Sequence, residues 1–504
     1  MGRMKNAQSL RSDASIGRTP FVLLVVLGLC FGVAVGILST VSLPAAGALA
    51  VIVVTVVLTR GLPDLAGLAL ILVIGVPITA AGDSGNSFLS IPLGPINPPF
   101  QILVVIGIAV LTVLMATDES LAYLLAVLRR GASGMVIIWV TACIVLLLLG
   151  EGRNGLAAAG RQFMYFSVFL WVIPVILVSR RRAARALSAF LALVLVGATL
   201  CGALALAAFA APPLRAFFFS ATEWARSVRI YFDGASVYVL VLPVALLLAS
   251  SKSAGRLRLL GLVSSLFMVG SMVVTQTRTL IAAAAVNVIL VALLPGMWKL
   301  GVRRWRIVGS IALIVLVFVI ALPIAASLGM RSATVLPREL SQRFSWVDSI
   351  SSDPNYQYRQ VQVDIAMSKW QTSPVTIVSG QGLGAAMGMP GRAPDSAWVD
   401  NAWATLAAQG GLIALTPFAL VLVGAFVSFI RVARSPADPL ERLIARALAV
   451  SLPLLLVDST LFTMHLIHSP GVIVALCTLL AAADVVWCFH RGATTRAPAA
   501  PSRG

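Results

Sequence analysis

The sequence predicts an all-α polytopic membrane protein with about fourteen transmembrane helices and one large extracytoplasmic loop that carries short helices. Three observations predict it. First, 59% of the 504 residues are hydrophobic, only 11% are charged, and the mean hydropathy is +0.99, against about 25% charged residues in an ordinary soluble chain. Second, the deficit of charge extends along the whole length as apolar runs long enough to cross a bilayer. Third, Lys and Arg gather in alternate loops between those runs. That last pattern also accounts for the net charge of +19 without nucleic acid, since the basic residues lie where they orient helices in a membrane.

Residues 1–20 read as a basic cytoplasmic tail. The apolar run that follows, from Phe21 to Leu38, exceeds the core of about 7–15 residues usual in a signal peptide, so it reads as a first transmembrane helix. Spans are expected at 21–40, 45–59, 65–81, 100–117, 133–150, 157–179, 187–211, 235–250, 258–275, 279–296 and 307–327. Three more are expected at 402–430, 447–465 and 470–489. This gives eleven helices in 21–327, a lid domain at 328–401, three helices in 402–490, and a disordered cytoplasmic tail at 491–504.

The loops on the side of the N-terminus carry Arg60, Arg129, Arg130, the run Arg180–Arg185, Lys252, Arg256, Arg258, Lys299, Arg303, Arg304, Arg306, Arg431, Arg434, Arg442, Arg446 and Arg491. The positive-inside rule puts both termini in the cytoplasm and the long loop outside. The cysteines (Cys30, Cys143, Cys201, Cys477, Cys488) lie in or beside apolar runs, so no disulfide framework or cysteine metal site is expected in that loop.

Chemistry-bearing residues gather on the external face. In the stretch 329–401, the basic residues (Arg331, Arg338, Arg343, Arg359, Lys369, Arg392) equal the acidic ones (Glu339, Asp348, Asp353, Asp364, Asp395, Asp400). A polar segment of this length reads as a small working domain. Outside it, Thr275-Gln276-Thr277-Arg278 joins two apolar helices with almost no loop. An Arg at such a place either faces water or a partner, or caps a hairpin at the interface. Arg359 opens Tyr358–Trp370, where Tyr358, Val361, Ile365 and Trp370 can share one helical face; it can hold a phosphate or sit in a salt bridge. The glycines of Gly380-Gln381-Gly382-Leu383-Gly384 permit unusual φ and close backbone approach, and they follow no strand of a nucleotide-binding fold. Asp400, in Asp400-Asn401-Ala402-Trp403, is either a helix cap or an acid–base group at the mouth of a cavity.

Further external candidates are Glu151, Arg153, Asn154 and Arg161, and the group Arg215, Glu223, Arg226, Arg229 and Asp233; interfacial anchoring is their alternative role. Asp458, inside an apolar run, is a functional residue or a partner for an Arg. His465 and His468 make only two potential ligands, so no metal site is expected.

Taken in order, these stretches resemble the O-antigen ligase and polymerase superfamily, which includes capsule and exopolysaccharide polymerases. Thr275-Gln276-Thr277-Arg278 is similar to the Ser-Arg hairpin of that family. Arg359, Trp370, Pro374 and the glycine run are similar to its Arg…Trp…Pro…Gly-x-Gly segment. Asp400-Asn401-Ala402-Trp403 through Gly410-Gly411-Leu412-Ile413 is similar to its re-entry motif. The ligases commonly carry His-Asn where this chain has Asp400-Asn401, which favours polymerisation over ligation to a lipid A core.

The resemblance implies a GT-C-type glycosyltransferase, with no cofactor and no metal, acting at the outer face of the cytoplasmic (inner) membrane. Its donor would be an oligosaccharide on undecaprenyl or another polyprenyl diphosphate. Arg278 and Asp400 would be catalytic; Arg359, Asn401, Arg153, Arg226 and Arg229 would bind substrate. Membrane lipid, a flippase and a chain-length regulator are the further partners it raises. A ligase with another acceptor, a transporter or flippase of the same lipid, and a sensor whose loop binds a partner are the rival readings. A transporter, however, usually shows two related halves with sites near the midplane, and no internal repeat is evident.

Overall fold

The computed structural model describes residues 62–75, 100–210, 220–224, 227–231, 233–294, 304–327, 336–337, 341, 354–389, 397, 399–461 and 465–495. The chain forms two compact units, Met1–Leu65 and Ala66–Gly504, and the architecture below is that of the second. The expected spans 21–40 and 45–59 lie outside the described residues.

The elements follow in order: α1 (Leu62–Gly75), α2 (Phe100–Leu114), α3 (Asp118–Arg130), α4 (Gly134–Asn154), α5 (Leu156–Ser167), α6 (Val172–Ser179) and α7 (Ala186–Ala210). A hairpin of β1 (Ser220–Trp224) and β2 (Ser227–Tyr231) precedes α8 (Val237–Ser250), α9 (Leu257–Thr275), α10 (Arg278–Leu293) and α11 (Arg304–Ser327). Then come α12 (Pro354–Trp370), α13 (Pro374–Ser379), α14 (Ala402–Arg434), α15 (Pro439–Leu461), α16 (His465–His468) and α17 (Pro470–Thr495).

By length and composition, five stretches are apolar enough to cross a membrane: α4, the run Leu156–Ala210 through α5 to α7, α9, α14, and Pro470–Arg491 in α17. Five shorter apolar helices accompany them. Fewer than the expected fourteen therefore meet that measure among the described residues. Two elements are additions to the sequence reading. The amphipathic α3 is N-capped by Thr117, whose Oγ1 accepts the Ser120 amide. The antiparallel hairpin β1–β2 pairs Thr222 with Arg229 and Glu223 with Val228, where only a loop was expected.

The core is helical. Every residue of α8 is buried, as expected of a helix apolar on all sides; α7, α9, α10, α11 and α15 pack around it. Close approach uses small residues. A Cβ on Gly261 would lie 2.5 Å from the Ala245 carbonyl oxygen, and one on Gly202 2.7 Å from that of Phe267. Asn287 of α10 is fully buried and donates from Nδ2 to the carbonyls of Val239 (2.6 Å) and Ser451 (3.3 Å), fixing α10 against α8 and α15. A second group (α4, α5, α6, α14, α17) closes on an aromatic cluster in which Trp139 lies 5.1–5.8 Å from Phe166, Phe169 and Phe418.

Buried carboxylates at helix starts tie distant parts of the chain together. Asp484 of α17 accepts the Ser133 amide and hydroxyl (2.6 Å each) and the Ser428 hydroxyl, thereby holding the start of α4. Glu441 of α15 accepts the Ser188 amide in the first turn of α7. Asp458 accepts the Ser236 hydroxyl just before α8 (2.8 Å). Asp484 and Glu441 each set carboxyl oxygens where the start of a helix presents an amide. Asp484→Ala strands three buried donors and is expected to cost about 3 kcal/mol or more; a thermal-unfolding midpoint equal to wild type would refute this.

Candidate functional site

Of the stretch expected to form a lid, the structure describes α12, α13 and the glycine loop, seated on the start of α14. α14 breaks at Gly411 (φ 53, ψ −147), so its first turns form a separate half-helix that enters the bundle. Protein encloses the backbone up to this break, since Ala404 through Gly411 are all buried. Ala366, Met387, Met389 and Val399 of the lid pack on Ala404 and Ala408 of the half-helix as one small core.

The glycine loop is built for backbone contact. Gly380, Gly382 and Gly384 all have positive φ (65, 91 and 76), a region that costs other residues a Cβ clash. The Gln381 amide donates to the Ala408 carbonyl (2.8 Å) and the Gly382 amide to that of Gln409 (2.9 Å). On the other side, Arg153 Nη1 donates to the Gly380 carbonyl (3.0 Å). Asn154 Nδ2 donates to the carbonyls of Gln381 (3.2 Å) and Leu383 (3.0 Å). Arg153, expected at the substrate, thus straps the lid to the α4–α5 turn.

α12 meets the start of α14 at Asp400. Gln362, fully buried, accepts the Asp400 backbone amide at Oε1 (3.0 Å). Arg359 precedes Gln362 by three residues, so the two share a helix face at a Cβ separation of about 5–6 Å. The expected apolar face of this helix needs correction. Val361 is 44% exposed, whereas Gln362 and Ala366 are completely buried. The helix is rotated because Gln362 must reach the backbone at Asp400 and Ala366 belongs to the lid core.

The cap of α14 is Asn401, whose Oδ1 accepts the Ala404 amide (2.9 Å). The alternative reading of Asp400 as the cap therefore falls. Trp403 follows, edge-on to Phe418 at 5.4 Å, joining the half-helix to the spanning part of α14.

Arg278 is the first residue of α10 and half-buried. Asn287 sets its level: Arg278 is about 14 Å from it along α10, while Asp458 is about 10 Å from Ser451 along α15. Both lie toward the end of the bundle that carries Ser236. His468 joins this end to α5, with Nε2 3.3 Å from Gln162 Nε2 and its ring stacked on Tyr165. α5 in turn meets the lid, since Ala158 stands where a Cβ of Gly384 would be. The lid loop, α5, α16 and the start of α8 thus form a continuous arc. No group of three or more His, Cys, Asp or Glu suited to a metal occurs among the described residues.

Arg226 lies outside the described residues, and Arg229 is described only as backbone in β2.

Sequence reasoning missed Gln276. It lies between α9 and α10 with φ 51, the one non-glycine residue at positive φ among the described residues. It is 2% exposed, and neither its Oε1 nor its Nε2 has a hydrogen-bond partner there. Such a group costs about 1–3 kcal/mol, and strained backbone clusters at functional sites. Its position directly before Thr277-Arg278 was the available signal.

No family model matches the chain, and no curated protein matches it. Among solved structures, a chain described as "Structural coordination of polymerization and crosslinking by a peptidoglycan synthase complex" aligns with 71% of this chain and 97% of its own. The identity is 17% and the TM-score 0.35. At that score the likeness carries no argument about this chain.

Proposed function

We propose that this chain is a membrane glycosyltransferase that polymerises or transfers oligosaccharide units from a polyprenyl-diphosphate donor at the outer face of the cytoplasmic membrane. The observation that carries the reading is the junction of the lid with α14. There Gln362 holds the Asp400 backbone, Arg359 shares the face of Gln362, and Asn401 takes over the cap. On this reading the Asp400 carboxylate and the Arg359 guanidinium serve one site at that junction.

In this reading Arg278 and Arg359 bind the donor diphosphate, since planar guanidinium groups pair bidentately with phosphate oxygens. The acceptor hydroxyl oxygen attacks the anomeric carbon and its proton passes to the Asp400 carboxylate. The bond from the anomeric carbon to the phosphate oxygen breaks, and its electron pair leaves on the polyprenyl diphosphate. Guanidinium charge stabilises that leaving group as it develops. Gln276, next to Arg278, offers a donor and an acceptor to the sugar or the diphosphate. Arg153 acts through the lid it holds.

A reconstituted assay with lipid-linked repeat units tests this. Longer lipid-linked chains mean a polymerase and transfer to a different acceptor means a ligase. Movement without bond formation means a transporter and sinks the proposal. In that assay Asp400→Asn is expected to slow turnover by about 10²–10⁴-fold, the usual worth of a positioned general base; unaltered turnover would remove Asp400 from the chemistry. Gln276→Leu is expected to slow turnover yet raise the thermal midpoint, because it replaces an unpaired buried amide with an apolar group. A fall in the midpoint with full turnover would show a purely structural residue.

A further inference from the structure

The end of the bundle opposite the lid carries a second feature, unrelated to glycan chemistry. The turn between α6 and α7 winds Arg180, Arg181, Arg182 and Arg185 into a short 3₁₀ segment with an irregular residue at Arg182 (φ −124, ψ 28). These arginines line a cleft of about 510 Å³ whose remaining wall includes Leu257 and Phe489. All four arginines are exposed.

Two of the charges are answered within the chain. Arg180 pairs with Glu119 at 2.9 Å and Arg185 with Asp438 at 3.6 Å. Glu441 lies behind the cleft wall, but it is fully buried and directs both oxygens to the Ser188 amide. Arg181 and Arg182 have no ion-pair partner among the described residues. The cleft therefore presents net positive charge that is not compensated among the described residues.

Its apolar wall argues against a site for a small soluble anion. Phe489 is 47% exposed at the cleft. Ala189 and Ala192 of α7 also line the cleft, and from Ala192 the same face of α7 continues one turn on to Val196 (37% exposed). Paired guanidinium groups above an exposed apolar stripe match a molecule with an anionic head and a hydrocarbon tail. Basic pockets between membrane helices bind lipid headgroups in this manner.

We propose that this cleft binds the phosphodiester headgroup of an anionic phospholipid, with Arg181 and Arg182 on the phosphate and an acyl chain along Ala192 and Val196 of α7. The experiment uses the full chain in neutral detergent, titrated with phosphatidylglycerol, cardiolipin or phosphatidylcholine while the thermal midpoint is followed. The anionic lipids are expected to raise the midpoint and phosphatidylcholine to leave it unchanged. In R181Q/R182Q, which alters two exposed side chains, the half-saturating anionic lipid concentration is expected to rise at least about tenfold, at about 1 kcal/mol per basic residue. The midpoint in phosphatidylcholine is expected to match wild type. An equal response from the variant, an equal response to phosphatidylcholine, no response to anionic lipid, or a full response to inorganic phosphate alone would each overturn the proposal.

Discussion

Arg278→Ala eliminates polymer formation while the protein still reaches the membrane. A guanidinium at the start of a short apolar helix carries an insertion cost of up to about 2.5–3.5 kcal/mol if it sits at membrane depth. Removing it therefore does not hinder insertion. Nor does it loosen α10, whose position is fixed by buried Leu280, Ala284, Asn287 and Val291 farther along. In the proposed mechanism, what disappears is a charge held against the diphosphate as the glycosyl bond breaks. A single preorganised donor to a developing oxyanion is worth about 10²–10³ in rate, and a bidentate guanidinium exceeds a neutral donor. Arg278→Lys keeps the charge but loses the fork, so it restores only part of the activity. Polymer length and amount, read on a gel from cells with matched membrane levels of each variant, check this. Wild-type polymer in the alanine variant would sink the assignment of Arg278.

How much of this could be read beforehand depends on where each residue's partner lies in the chain. Spans such as α4, α7 and α17 follow from hydropathy because their apolar composition is local. The turn residues at Thr275–Arg278 and the re-entry at Asp400-Asn401 were visible for the same reason. The roles of Gln362 and Asp484 were not. Gln362 acts on Asp400, 38 residues away, and Asp484 on Ser133, 351 residues away. Nothing in either local sequence marks those pairings. The face of α12 was misjudged because periodicity counts apolar residues, whereas its buried stripe contains Gln362, held there by a hydrogen bond. In β2 the alternation Ser-Val-Arg-Ile-Tyr was present, but short strands between long apolar helices give a weak period-2 signal. The run 402–430 reads as one span, and the break of α14 at Gly411 is seen only in the structure, together with what it accommodates.

That accommodation gives the second large effect, Gly380→Ala. Gly380 and Gly411 are apposed glycines with positive φ, 65 and 53, on the lid loop and the broken helix. A Cβ on Gly380 would overlap the Gln409 carbonyl group and the Gly410 nitrogen; one on Gly411 would fall 2.6 Å from the Ile377 and Val378 carbonyl oxygens. These obstacles are backbone atoms of the same segments that carry the Gln381–Ala408 and Gly382–Gln409 hydrogen bonds, so relief by side-chain movement is closed off. At φ 65 and ψ −166 Gly380 lies in a region essentially reserved for glycine, which costs alanine about 1–3 kcal/mol, and overpacking adds about 1–3 kcal/mol. Gly388 supplies the control, since it has φ 62 in the same lid but nothing within 4 Å of the place a methyl group would take. Gly388→Ala bears the conformational cost alone. The expected result is that Gly380→Ala opens the lid to limited proteolysis and halts turnover, while Gly388→Ala does so weakly. If the two variants behave alike, close backbone apposition is not what seats the lid over Asp400.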